Sequence, residues 1–166
     1  MATAGEDEKK MITLRSSDGE EFELEEAAAK QSVMIGNMIE DGCSEGGIPL
    51  PNVTGKVLAV ILEYCKKHAD FDAGKPSGHD GRPATKEEVA AWDADYIDVE
   101  QDVLYDVIVA SNYLNIKNLL DLGCQRAADV IKGKTPDEIR QWFKITNDFT
   151  PEEEEEIRRE NSWSFE

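Results

Sequence analysis

The feature that most constrains this chain is a pair of helix starts near its end, Thr135-Pro136-Asp137-Glu138 and Thr150-Pro151-Glu152-Glu153. Each has a hydroxyl residue at the cap, a proline at the first helical position, where an amide would be unpaired anyway, and an acid three residues after the cap. The first helix holds Ile139, Trp142 and Phe143 ahead of Ile145, and the second runs through an acidic block towards Trp163 and Phe165. Helices shorter than about 12–15 residues are marginal in water on their own. Two short helices ending in large aromatics therefore need another surface to pack on, either in this chain or in a partner.

A chain of 166 residues permits one domain, or one domain with an extension. No apolar run approaches the roughly 20 residues that a bilayer requires, so no membrane association is expected. The stretch Met1 to Lys10 is polar and of mixed charge, has no apolar region of signal-peptide type, and is expected to be disordered. Cys43, Cys65 and Cys124 are far apart and odd in number, which argues against a disulfide framework and for a reducing compartment, cytosol or nucleus. The formal charge of −18 disfavours nucleic acid as a partner, because phosphate backbones would repel it. Attraction of a basic partner and simple solubility account for that charge about equally well.

Ile12 and Leu14, then Phe22 and Leu24, alternate with polar residues on either side of Asp18-Gly19, the pattern of a β-hairpin with a tight Asp-Gly turn. A short helix is expected over Glu25 to Lys30, and another after Ser32 with Met34, Ile35, Met38 and Ile39 on one face. Ile48-Pro49-Leu50-Pro51 reads as an extended piece that proline confines to a sheet edge or a strand start. Thr54 opens a stronger helix carrying Val57, Leu58, Ile61, Leu62 and Cys65. The Gly- and Pro-rich stretch from Asp70 to Pro83 is expected to be a flexible surface loop. Thr85 caps a short helix ending near Trp92, and Asp98 to Gln101 repeats the capping logic before Val103, Leu104, Val107 and Ile108. Asn115 separates that helix from one through Leu119, Leu120 and Cys124, which Gly133 ends. The order suits a small α/β domain with one compact sheet and an all-helical tail.

The residues carry no pattern of catalysis. Ile131-Lys132-Gly133-Lys134-Thr135 resembles the end of a phosphate-binding loop, but the required earlier glycine is Ala128 and Pro136 removes an amide. A helix end followed by a helix start explains it better. His68 and His79 have no cysteine or second histidine at metal-ligand spacing, and His68 reads as a solvated group at a helix end. Cys65 and Cys124 read as inert core residues. Glu152 to Glu156 sit where a helix dipole favours acids, with Glu154 and Glu155 four residues before Arg158 and Arg159. No catalytic, cofactor or metal residue is assigned.

Three longer stretches carry a resemblance. Ser111-Asn112-Tyr113-Leu114-Asn115-Ile116-Lys117-Asn118-Leu119-Leu120-Asp121-Leu122 and Ile131 to Arg140 resemble the Skp (S-phase-kinase-associated) adaptor family, as does Asn147 to Glu154 with Arg159-Glu160-Asn161 and Trp163. Ile48 to Val53 and Glu63 to His68 match as well, and the closing Trp163-Ser164-Phe165-Glu166 is similar to the plant branch. The chain departs from the family pattern at Gly123, where threonine is usual. It departs also at Tyr105 (phenylalanine), at Trp142 (a smaller polar residue), at Lys144 (asparagine) and at Ser162 (glutamine).

The resemblance implies an α/β BTB/POZ fold over residues 11–131, with a flexible loop at 70–84, and a C-terminal F-box-binding helical extension over 132–166. It implies the adaptor subunit of an SCF (Skp–cullin–F-box) ubiquitin ligase in the nucleus and cytoplasm. The partners would be F-box proteins, with the plant hormone-receptor type one option, and a cullin scaffold that brings a RING subunit. Asn112 and Tyr113 match family positions facing the cullin. Tyr105, Ile108, Gly133, Lys134, Pro136, Ile139, Phe143, Ile145 and Trp163 match the F-box-binding set, Tyr105 and Ile108 lying at or near the shared interface. Two other classes stay open: an acidic chaperone of F-box proteins acting outside the ligase, which would not need the cullin, and, remotely, an enzyme.

Overall fold

The computed structural model describes residues 9–77 and 80–164. Met11–Arg15 (β1) and Glu21–Glu25 (β2) pair antiparallel, with Ile12 opposite Leu24 and Leu14 opposite Phe22. The connection is the longer loop 16–20 rather than the tight Asp-Gly turn expected, because Arg15 pairs with Glu21 and the Ser16 amide donates to the Glu20 carbonyl. Gly19 takes φ +84° within it, a conformation that a side chain would strain. Ile48–Pro49 (β3) joins the free edge of β1 in parallel, so the sheet order is β2-β1-β3 and proline sits on an edge strand. The helices are Glu26–Ala29 (α1), Val33–Glu40 (α2), Gly55–Asp72 (α3), Lys86–Ile97 (α4), Gln101–Leu114 (α5), Lys117–Ile131 (α6), Pro136–Phe143 (α7) and Pro151–Glu160 (α8). The core joins Ile12, Leu14, Leu24 and Ile48 of the sheet to Leu58, Ile61 and Leu62 of α3 and Leu104 and Val107 of α5, all buried. The chain divides into two compact units, Met1–Val130 and Ile131–Glu166.

The hairpin is tied to α3 through one carboxylate. Asp18 accepts from the Ser16 hydroxyl and from the Gly55 amide at 2.8 Å, the first residue of α3. The Ser16 hydrogen bond first, and the Gly55 amide second, hold the Asp18 carboxyl below its ordinary value. A carboxyl lowered in the folded state stabilises above its unfolded value, near pH 4, and loses that contribution as pH falls through its folded value. Thermal unfolding of wild type and Asp18→Asn between pH 7 and pH 2 should therefore show a gap that is widest at neutral pH and closes below about pH 4. Parallel curves would show that the carboxylate charge plays no part.

Four other expectations about the first unit's helices require correction. Residues 70–72 belong to α3 rather than to the loop expected at 70–84, because Phe71 is held edge-on to His68 (5.5 Å) and Trp92 (6.2 Å). Beyond it, Pro76 and Pro83 form an isolated bridge. The helix expected to stop near Trp92 runs to Ile97, because Trp92 stacks on Tyr96 at 5.1 Å and the Tyr96 hydroxyl donates to the Val60 carbonyl at 2.8 Å. His68 is not solvated: it stacks on Tyr64 at 4.0 Å, and its Nε2 lies 2.7 Å from Asp93 on α4. Asp98 does not cap α5. Glu100 is the cap residue, without a side-chain bond, and Asp98 pairs with Arg126 at 2.8 Å. His79 and Phe165 lie outside the described residues.

Helix α4 is weakly amphipathic, and among the described residues its only buried member is Ile97. The rings of Trp92 and Tyr96 against Tyr64, His68 and Phe71 therefore fasten it to α3. Aromatic pairs contribute about 0.5–1.5 kcal/mol beyond their buried area, and a half-buried Trp less than the ~3–5 kcal/mol of a core one. Trp92→Ala should cost about 2 kcal/mol and release α4 before the rest of the fold. Hydrogen exchange should then show faster exchange confined to residues 86–97.

Candidate functional site

Helix α5 separates its two faces cleanly. Leu104, Val107, Ala110, Ser111 and Leu114 are buried, while Tyr105 and Val109 are 63% and 49% exposed. At 100° per residue, Tyr105, Ile108, Val109, Asn112 and Tyr113 share the outward face. Asn112 is exposed, and Tyr113 and Ile108 are half-buried. An outward face this apolar, on a chain of net charge −18, marks a contact surface more than a solvated one.

The end of that face is held rigidly. Asn115 closes α5 in the left-handed region (φ +52°), and its carbonyl accepts from the Val33 amide at 3.1 Å. Buried Ser32 serves two helices at once: its hydroxyl donates to the Leu114 carbonyl and accepts from the Ile35 amide at 3.1 Å. The cap of α2 is thus also the clamp on the C-terminus of α5. Asn112 and Tyr113 are therefore presented from a fixed turn. Exposed Val33, adjacent to this clamp, lies off the apolar face of Met34, Ile35, Met38 and Ile39 that the sequence marks, and no local signal singles it out. Val109 could have been found from its spacing, four after Tyr105 and three before Asn112.

The second unit has a different character. Both threonine caps close full capping boxes. The Thr135 and Thr150 hydroxyls accept from Glu138 and Glu153 amides at 3.3 and 3.2 Å, and each glutamate accepts from its threonine amide at 2.8 Å. Gly133, at φ +76°, ends the preceding helix, as Lys144 does at φ +56° for α7. Lys134 and Pro136 are exposed, and Ile139 and Phe143 are half-buried. Trp142 and Phe143 meet edge to face at 4.8 Å. Ile145 and Trp163 are 56% and 75% exposed, the latter on a 3₁₀ turn at Ser162–Ser164. Among the described residues, none in α7 or α8 is buried.

A polar network links α7 to α8. Arg140 pairs with Asp137 at 2.6 Å and reaches Glu154 at 3.8 Å, and Asn147 links Glu154 (2.7 Å) to the Phe149 amide (3.1 Å). Glu154 therefore turns towards Asn147 and Arg140 rather than to the expected Arg158. A groove of about 380 Å³ lies beside this network, with Pro136, Phe149 and Ile157 among its lining residues. Part-exposed ion pairs of this kind contribute little each, and no described residue of either helix is buried, so the unit carries apolar surface without a core to absorb it.

The cysteines divide. Cys65 is buried and its thiol is pushed up to about 12 by burial, which makes it inert. Cys124 is exposed, contrary to the core position expected of it, because α6 turns that side of its surface outward. Among the described residues, no three His, Cys, Asp or Glu side chains group to hold a metal ion. Among them, too, no helix is long and apolar enough to cross a membrane.

Two family models match the chain, one described as "Skp1 family, tetramerisation domain" (the POZ part) over residues 10–70 and one as "Skp1 family, dimerisation domain" over residues 117–164. The first covers the sheet and α1 to most of α3, which identifies this part as BTB/POZ-like. SKP1-like protein 1A of Arabidopsis thaliana is 57% identical over 157 residues, spanning 95% of this chain and 98% of that protein. SKP1-like protein 1 of Oryza sativa subsp. japonica is 58% identical over 172 residues, spanning 98% and 99%. SKP1-like protein 4 of Arabidopsis thaliana is 54% identical over 160 residues.

Proposed function

This chain belongs to the Skp1 family, of the plant type, and from that premise we propose that it is the non-catalytic adaptor of an SCF ubiquitin ligase. It bridges a cullin scaffold to F-box receptors, and so brings substrates to a RING-recruited conjugating enzyme for ubiquitination and degradation. The rate gain is proximity, supplied by the assembly. Asn112 and Tyr113 on α5 meet the cullin. Tyr105 and Ile108, with Gly133, Lys134, Pro136, Ile139, Phe143, Ile145 and Trp163, meet the F-box. Hormone-receptor F-box proteins are among the partners, and the work is done in the nucleus and cytoplasm.

One observation carries this reading: α7 and α8 bury none of their described residues, although they and the turn after them hold Trp142, Phe143, Ile145, Ile157 and Trp163. Apolar side chains at helical spacing without a core of their own suit a shared core with a partner helix, with ordering coupled to binding. Co-purification with an F-box segment and a cullin fragment, followed by mass measurement, tests both ends. A ternary species of one copy each is expected. A folded chain that binds the F-box segment but not the cullin would replace this reading with that of a chaperone of F-box proteins. A folded chain that binds neither would reject the adaptor altogether.

A further inference from the structure

Gly123 lies buried in the middle of α6, where glycine is the least favourable residue short of proline. Its neighbour explains its presence. A Cβ at this position would stand 2.8 Å from Cγ1 of Ile108, with Cδ1 at 3.7 Å and Cβ at 3.9 Å. Carbon atoms pack at about 3.5–4.0 Å, so any side chain at 123 must displace Ile108 or part the two helices. Ile108 has little freedom to give way, because a β-branched side chain in a helix holds one strongly preferred χ1. Its escape is outward, towards the face that carries exposed Tyr105 and Val109.

We infer that Gly123 is a positioning residue for partner choice: without a side chain it lets Ile108 pack closely against α6, so that Ile108 stands lower on the face shared with Tyr105 and Val109 and favours F-box helices with a large apolar side chain opposite it. The inference rests on the adaptor reading and sharpens it. Tyr105 and Val109 flank Ile108 on this face at helical spacing, and Gly123 sets how far Ile108 stands out between them. A chain with a Cβ at this position would push Ile108 outward and favour smaller partner side chains. Hydrophobic contacts discriminate by methylene-sized steps, each about tenfold in affinity or more.

The test measures affinities of wild type, Gly123→Ala, Ile108→Ala and the double variant for two F-box segments. The segments differ only in carrying leucine or alanine at the residue that meets Ile108. The Ile108 δ1-methyl NMR signal is followed in each free Ile108-containing protein. Gly123→Ala should move that methyl signal and lower the leucine-over-alanine preference about tenfold. In the Ile108→Ala background, the same glycine change should leave the preference unaltered. An equal loss for both segments, or an effect that persists without the Ile108 side chain, would overturn the inference and make Gly123 merely structural. Wild-type protein that binds neither segment would bring down the adaptor reading, and the inference with it. Wild-type binding with a preference that Gly123→Ala leaves unmoved would overturn the inference alone.

Discussion

Trp163→Ala should weaken F-box binding by about 30-fold or more, while leaving thermal unfolding of the free chain nearly unchanged. The indole is 75% exposed on its 3₁₀ turn, so it stabilises little in the free protein. Burying an aromatic of about 150–250 Å² at about 25 cal/mol per Å² is worth several kcal/mol before ordering costs. Tryptophans at interface centres commonly cost 2 kcal/mol or more when truncated, roughly a factor of 30. Truncation of an exposed residue usually moves stability by no more than about 0.5 kcal/mol. The pairing of lost affinity with retained stability separates a partner anchor from a residue of this protein's own core. Titration calorimetry with an F-box segment reads the first, and a melting curve the second. Wild-type affinity in the variant would remove Trp163 from the contact, and a collapsed melting temperature would make it a structural residue.

The double change Asn112→Lys with Tyr113→Lys should reduce cullin binding by about 100-fold while sparing F-box binding. Both side chains belong to the last turn of α5, and Ser32 clamps that turn from the opposite side, at the Leu114 carbonyl. The backbone there should keep its course. Two ammonium groups in a closed interface must lose their water without partners, a cost of several kcal/mol. Tyr113 is half-buried, so Asn112→Lys alone, at an exposed position, provides the variant least able to disturb folding. Competition binding with a labelled cullin fragment measures the loss, and F-box affinity measured in parallel reports that the chain is intact. Undiminished cullin binding in the double variant would move that interface away from the end of α5.

These two surfaces differ in how far the sequence discloses them. The caps at Ser32, Thr54, Thr85, Thr135 and Thr150 were legible because a cap is a local event: one hydroxyl, an amide two or three residues on, and for three of them a returning glutamate. The hairpin was legible for the same reason, through alternation about Asp18-Gly19. The residues that misled were those whose surroundings come from distant parts of the chain. His68 looked solvated because nothing near it in sequence foretells Asp93, 25 residues away, closing over it. Asp98 resembled a cap and became the partner of Arg126. Cys124 sat on an apolar pattern, yet only the packing of α6 decides which side of that pattern meets solvent.

By itself the sequence determined where helices start, where the sheet turns, and that the last 35 or so residues hold more aromatic surface than two short capped helices can cover. Local hydrogen bonding and helical periodicity act over a few residues, and they are written in order along the chain. Only the tertiary structure decided that Phe71 extends α3, that Ser32 binds two helix ends, that Ile108 rests on Gly123, and that α7 and α8 remain without a buried residue among those described. Those outcomes depend on which surfaces far apart in sequence come together, and burial free energy depends on the area removed from water, not on the order in which that area is encoded.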